Sequence, residues 1–179
     1  MRKPALMSRA LIIALTSMLI APTSSFAANN TDKLAVAQGK VSYTVYEPIP
    51  MSSFAMNGMG LVPCRLFPQK SPMIVSSYGG SESGIGLKQS PGDKDCTGGD
   101  TAPVLEKIKV HGVLATVKIY CLTTCPASRF PFVGGEIDMV LPATAHFGST
   151  YIVVGSQAVV TLAQLIAFAQ GLVPALGKD

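Results

Sequence analysis

Apolar and polar positions alternate most regularly between residues 104 and 125, VLEKIKVHGVLATVKIYCLTTC. In Ile108-Lys109-Val110-His111, and again through Val117, Ile119 and Cys121, every second side chain is apolar. One face of such a segment can be buried while the other stays wet. Leu105, Ile108 and Gly112 also fit a helical spacing, but the β-branched content favours strand. The stretch reads as two strands of a central sheet, with Gly112 marking a bulge or tight bend between them.

The same two-residue period picks out residues 41–46, 73–78, 136–141 and 150–154 as strands, and residues 61–67 as a strand interrupted by Pro63. Pro48 and Pro50 end the first of these. Between them, residues 29–40 read as an irregular lead-in and residues 51–60 as a loop or short helix. Residues 79–99 read as a long polar loop and residues 126–135 as a turn region. The expected fold is mainly β, a small antiparallel sheet or sandwich, with α+β as the alternative.

Two stretches are apolar without a strand period. Residues 10–21, ALIIALTSMLIA, follow Arg2, Lys3 and Arg9 and precede Ser25-Phe26-Ala27. This is the three-part pattern of a secretory signal peptide, with cleavage expected after Ala27. It divides the chain into a signal over 1–27, an exported β-rich domain over 28–155 and an apolar C-terminal helix over 156–179. Of the 14 Lys and Arg residues, the three in the signal leave with it, so eleven face ten Asp and Glu. The exported part is therefore close to neutral and has no basic cluster to track phosphates, which excludes nucleic acid as an expected partner.

The second stretch runs over residues 139–177 and holds no charged side chain, His146 being its one titratable group of note. Ser156 is placed to cap a helix over 157–172. Gln157, Thr161 and Gln164 make one narrow polar stripe on an otherwise apolar surface. Gly155, Ala163, Ala167 and Gly171 set a small residue at four-residue intervals, broken only by Val159, and such rows let helices approach closely. As a helix, residues 156–172 would reach ~25 Å, against a hydrocarbon thickness of ~30 Å. The tail is therefore expected either in or on a membrane, or packed on the sheet or on copies of itself.

All four cysteines, Cys64, Cys96, Cys121 and Cys125, lie beyond the signal, so two structural disulfides are expected in an oxidising compartment. Three pairings exist, and Cys64–Cys96 with Cys121–Cys125 is preferred here. The second pair requires residues 122–124 to turn back, because extended residues four apart lie ~13 Å from each other, beyond disulfide reach.

Candidate chemistry is sparse. Met51, Met56, Met59 and Met73 lie near Cys64 and offer soft sulfur ligands suited to Cu(I), but methionine more often fills irregular gaps in cores. Glu136 and Asp138 share a strand face, where paired carboxylates either do acid–base work or, more commonly, sit solvated. The glycine-rich run over residues 79–86 lacks the Lys-Ser/Thr ending of a phosphate loop. Ser81, Ser83, His111 and His146 are scattered, with no motif joining nucleophile to base. No enzyme and no cofactor are expected. The leading expectation is a structural or assembly subunit of a bacterial envelope machine, such as a pilus, secretion or conjugation apparatus. It would lie in the periplasm or envelope and be anchored or self-associated through its C-terminal helix. The alternative is a soluble periplasmic binding module for a metal such as copper, a small ligand or another protein, using residues 51–59 and 79–99.

Overall fold

The computed structural model describes residues 25–51, 53–64, 71–80, 83–92, 96, 101–157 and 159–175. In chain order these form α1 (Ser25–Gln38), β1 (Tyr46–Pro48), β2 (Met56–Val62), β3 (Met73–Tyr78), β4 (Ile85–Pro91), β5 (Val104–Val110) and β6 (Val113–Ile119). A single 3-10 turn over Ala127–Arg129 is followed by β7 (Gly135–Leu141), β8 (Thr150–Ser156), α2 (Leu162–Gln170) and β9 (Leu172–Pro174). The fold is mainly β with a C-terminal helix, as the alternation implies.

Seven strands form one antiparallel sheet in the order β2-β3-β4-β8-β7-β6-β5. The stretch over 104–125 supplies the β5–β6 hairpin, with Val110 opposite Val113. Its two-residue turn has His111 at φ 50° and Gly112 at φ 78°. Positive φ at both positions is the turn geometry whose twist matches that of paired strands. Gly112 is thus the turn itself, and not a bulge within a strand.

Register puts Leu87, Val154, Ile137 and Val117 in one row across β4, β8, β7 and β6. All four are fully buried, and with Ile85, Ile119, Met139 and Ile152 they form the floor of the main core. The strand period buries this face because most of its alternate positions are apolar, with Gln89, Thr150 and Ser156 as buried polar exceptions.

α2 lies on that floor. Leu165, Phe168 and Ala169 face inward, and the Phe168 ring meets Tyr78 edge-on at 5.0 Å between centroids and Phe54 at 6.4 Å. The helix begins later than residue 157: its cap is Thr161, not Ser156. The Thr161 side chain accepts from the Gln164 N–H at 3.2 Å, while Gln164 Oε1 accepts from the Thr161 N–H at 2.9 Å. Two members of the expected polar stripe are therefore a capping box that starts the helix. Gly171 closes it, donating to the Ala167 carbonyl at 3.0 Å. β9 then pairs antiparallel with β1, so the tail returns to the N-terminal part of the domain. Ser156 instead ends β8. Among the described residues no helix is long and apolar enough to cross a membrane.

Four other expectations change. Residues 29–40 are not irregular, since α1 runs to Gln38, with Leu34 and Ala37 in a second cluster beside Tyr43, Val45, Ile74 and Ala175. Residues 41–46 are extended but contribute only a bridge from Tyr43 to Gly148 before β1 starts. Part of their backbone is held by side chains: Gln38 Nε2 donates to the Tyr43 carbonyl at 2.9 Å, and the Val45 N–H donates to Gln38 Oε1 at 2.7 Å. Residues 51–60 yield most of β2. Residues 79–99, read as a loop, contain β4, one of the most central strands. Residues 1–24, most of the expected signal, lie outside the described residues, and the expected cleavage point after Ala27 falls within α1.

The disulfides are Cys64–Cys96 and Cys121–Cys125, with Cα separations of 4.8 Å and 6.4 Å. The first is buried with Met73 beside Val75 and ties the end of β2 to the segment after β4. The second closes the turn that residues 122–124 must make. Two disulfides suit an oxidising, extracytoplasmic environment.

Candidate functional site

The second face of the sheet carries the polar chemistry. Register aligns Gly58, Ser77, Gly86, Gly155, Glu136 and Lys118 in one row across β2, β3, β4, β8, β7 and β6. The first four have small side chains or none, so the row is a trench across four strands. It ends against the long side chains of Glu136 and Lys118. A parallel row of Val75, Lys88, Val153, Asp138 and Thr116 flanks it. The resulting cavity has a volume of about 400 Å³ and is lined by Asn57, Ser77, Gly86, Lys88, Tyr120, Glu136, Gly155 and Gln157 among others.

The closed end is a charge cluster. Lys118 Nζ donates to Glu136 Oε1 at 3.2 Å and is also ion-paired with Asp138 Oδ2. The three side chains are only 13%, 7% and 10% exposed, so this is not a solvated strand face. Burial alone would depress the Lys118 ammonium, but hydrogen bonds and charge from Asp138, and then from Glu136, outweigh it and hold its pKa above the ordinary value. Tyr120 Oη donates to Glu136 Oε2 at 3.0 Å. A Cβ on Gly155 would stand 3.0 Å from that hydroxyl, so the glycine is what lets Tyr120 lie over β8 and reach the carboxylate. Asp138 Oδ1 has no hydrogen-bond partner among the described residues and is buried. Among the described residues, Lys118 joins the two carboxylates of this cluster.

The residues singled out from sequence disperse. Gly155 belongs to β8 and floors the trench, so it is not part of a helix-packing row. Ala163 and Ala167 stand on the exposed face of α2, and Gly171 is its cap. Met51 packs against the main core, Met59 against the α1 cluster and Met56 against both, while Cys64 is spent in a disulfide. The structure therefore does not gather these sulfurs into one site with a thiolate. His111 sits in the β5–β6 turn and His146 in the β7–β8 connection, both exposed. Ser83 precedes β4, and Ser81 lies outside the described residues. Among the described residues no group of three His, Cys, Asp or Glu side chains could hold a metal ion.

The pairing of Glu136 with Asp138 was visible as strand alternation. Lys118 and Tyr120 show the same alternation, but only the register of β6 against β7 brings them onto those carboxylates. Gly86 was hidden because β4 itself was read as loop. Compared with family models, curated proteins and solved structures, the chain has no significant match in any of the three.

Proposed function

We propose that this chain is a non-enzymatic assembly subunit of an exported envelope apparatus, of the pilus, secretion or conjugation kind, and that it joins its partner by strand addition at β2. The observation that carries this reading is the contrast between the two edges of the large sheet. β5 is guarded by Glu106, Lys107 and Lys109, all exposed. β2, MNGMGLV, has no charged residue, and Leu61 and Val62 are each 38% exposed. Edge strands offer a row of unpaired backbone groups, and charge is a common device against unwanted pairing. An uncharged edge beside a guarded one suits a partner's extended segment. Export accords with the two disulfides and with the apolar run over residues 10–21. Attachment through the C-terminal helix is replaced, because α2 is short, capped and committed to its own sheet.

The test is a photoreactive side chain at Leu61 in the full-length protein, expressed in its native host. The expected result is a discrete adduct with one envelope protein or with a second copy. Gly60→Lys should abolish it without unfolding the chain, because a Cβ at Gly60 meets nothing within 4 Å. No adduct from Leu61, with adducts instead from Lys107 on β5, would refute the proposal.

A further inference from the structure

The β2 edge has a notch on its trench face. Gly58 and Gly60 carry no side chain there, and Val62 follows on the same face, opposite Met73. Among the described residues a Cβ at Gly60 would meet nothing within 4 Å. Val75, paired with Gly60, is half-buried, packs on Met73 and the Cys64–Cys96 disulfide, and lines the trench cavity. The notch is therefore bare backbone in front, Val75 behind and Val62 at one side. Glycine inside a strand marks a bulge, a bend or a place where another backbone or a ligand comes close. The register of β2 shifts between Met56 and Gly58, which accounts for Gly58 and not for Gly60.

Building on the reading of β2 as the site of strand addition, we infer that the partner's strand lays an aromatic side chain, tyrosine or phenylalanine, over Gly60. Neighbouring strands lie ~4.8 Å apart, so the guest backbone and that of Val75 would stand about 9.6 Å apart, with Gly60 between them. A small guest residue leaves both Gly60 and Val75 wet. An aromatic ring reaches further than any directly opposite aliphatic pair, and over an edge glycine it supplies the packing the glycine lacks. Alternation sets the guest's other face. Its positions beside Met59 and Leu61 lie on the core side of the sheet, where Met59 packs against the α1 cluster and Leu61 is 38% exposed. Aliphatic residues fit there, and β2 has no charge that would call for one in the guest. The partner segment thus reads aliphatic, aromatic, aliphatic at its centre.

The test titrates the full-length, oxidised protein with the acetylated and amidated heptapeptide Lys-Thr-Val-Tyr-Val-Thr-Lys, and with the same peptide carrying alanine in place of tyrosine. Calorimetry and amide chemical shifts follow binding. The tyrosine peptide should bind about tenfold more tightly, with shifts centred on Gly60, Leu61 and Val75. Gly60→Val fills the notch from within a strand that favours valine, so the fold should persist and the two affinities should come within about twofold of each other. Val75→Ala should narrow the preference in the same direction while β2 still pairs. Equal affinities with shifts on β2 would overturn the aromatic contact and leave strand addition standing. Shifts on β5 instead, or no binding of either peptide at millimolar concentration, would overturn both.

Discussion

The side-chain amide of Gln89 pairs reciprocally with the backbone of Tyr46. The Tyr46 N–H donates to Gln89 Oε1 at 2.7 Å, and Gln89 Nε2 donates to the Tyr46 carbonyl at 2.9 Å. Gln89 is fully buried in β4, so this amide acts as one rung of a strand and docks β1 onto the large sheet. Gln89→Leu leaves both backbone groups of Tyr46 without that partner. At about 1–3 kcal/mol for each unsatisfied buried group, the expected loss is about 2–6 kcal/mol, measured as a lower urea midpoint. A loss within ~0.5 kcal/mol, the range of a neutral surface change, would show that β1 docks by apolar contact alone.

Val159 has φ 84° and is 60% exposed. A β-branched residue in that region is strained by about 1–3 kcal/mol, and glycine adopts it freely. Val159→Gly should raise stability by about 1 kcal/mol after the entropy glycine adds to the unfolded chain is subtracted. Thermal unfolding of the oxidised protein would read this as a higher midpoint.

The β5–β6 turn gives two changes of opposite sign. Asn tolerates left-handed geometry better than most residues, so His111→Asn should stabilise by a few tenths of a kcal/mol. Gly112→Ala places a Cβ at φ 78° in open space, so its cost is backbone strain without a clash, about 1 kcal/mol. The pair of midpoints in denaturant checks both.

Alkaline pH should destabilise the protein. Burial pushes the Tyr78 phenol up to about 12, the Ser76 hydrogen bond opposing and the Glu47 charge assisting. Burial also raises Tyr43 and Tyr46. In the unfolded chain these phenols ionise near pH 10. Between that value and the folded one, the unfolded state holds fewer protons, so stability falls as pH rises. Lys118 adds the same sign: its stabilising contribution is complete below the unfolded lysine value and is lost as pH climbs through the raised folded one. The expected curve is flat to about pH 10 and then descends, and tyrosinate absorbance should appear together with unfolding. Tyr78→Phe should make the descent shallower.

Much of the β framework was legible because period-2 alternation is a local signal. β3 falls on residues 73–78, and β5 through β8 fall close to their expected places. β4 escaped because its core face is Ile85, Leu87 and Gln89, where the polar Gln89 breaks the pattern and Gly86 and Gly84 resemble turn residues. Only the partner strand shows that Gln89 is satisfied. The tail left two readings open for a related reason. Its lack of charge reports burial, but does not say whether the shield is lipid, a copy or the chain's own sheet. Tyr78 and Phe54, distant in sequence, decide that by receiving Phe168. The acidic pair was visible as two letters, and its lysine and tyrosine became visible only through register.

The antiparallel β1–β9 pair has a mechanical consequence. The chain enters at Tyr46 and leaves at Pro174, which face each other. Tension applied to the two flanks would peel this short pair bond by bond, because its rungs are loaded in succession and not in parallel. Under load, α2 would be tugged off the sheet early, while the Cys64–Cys96 crosslink would keep only the stretch between those two cysteines from paying out.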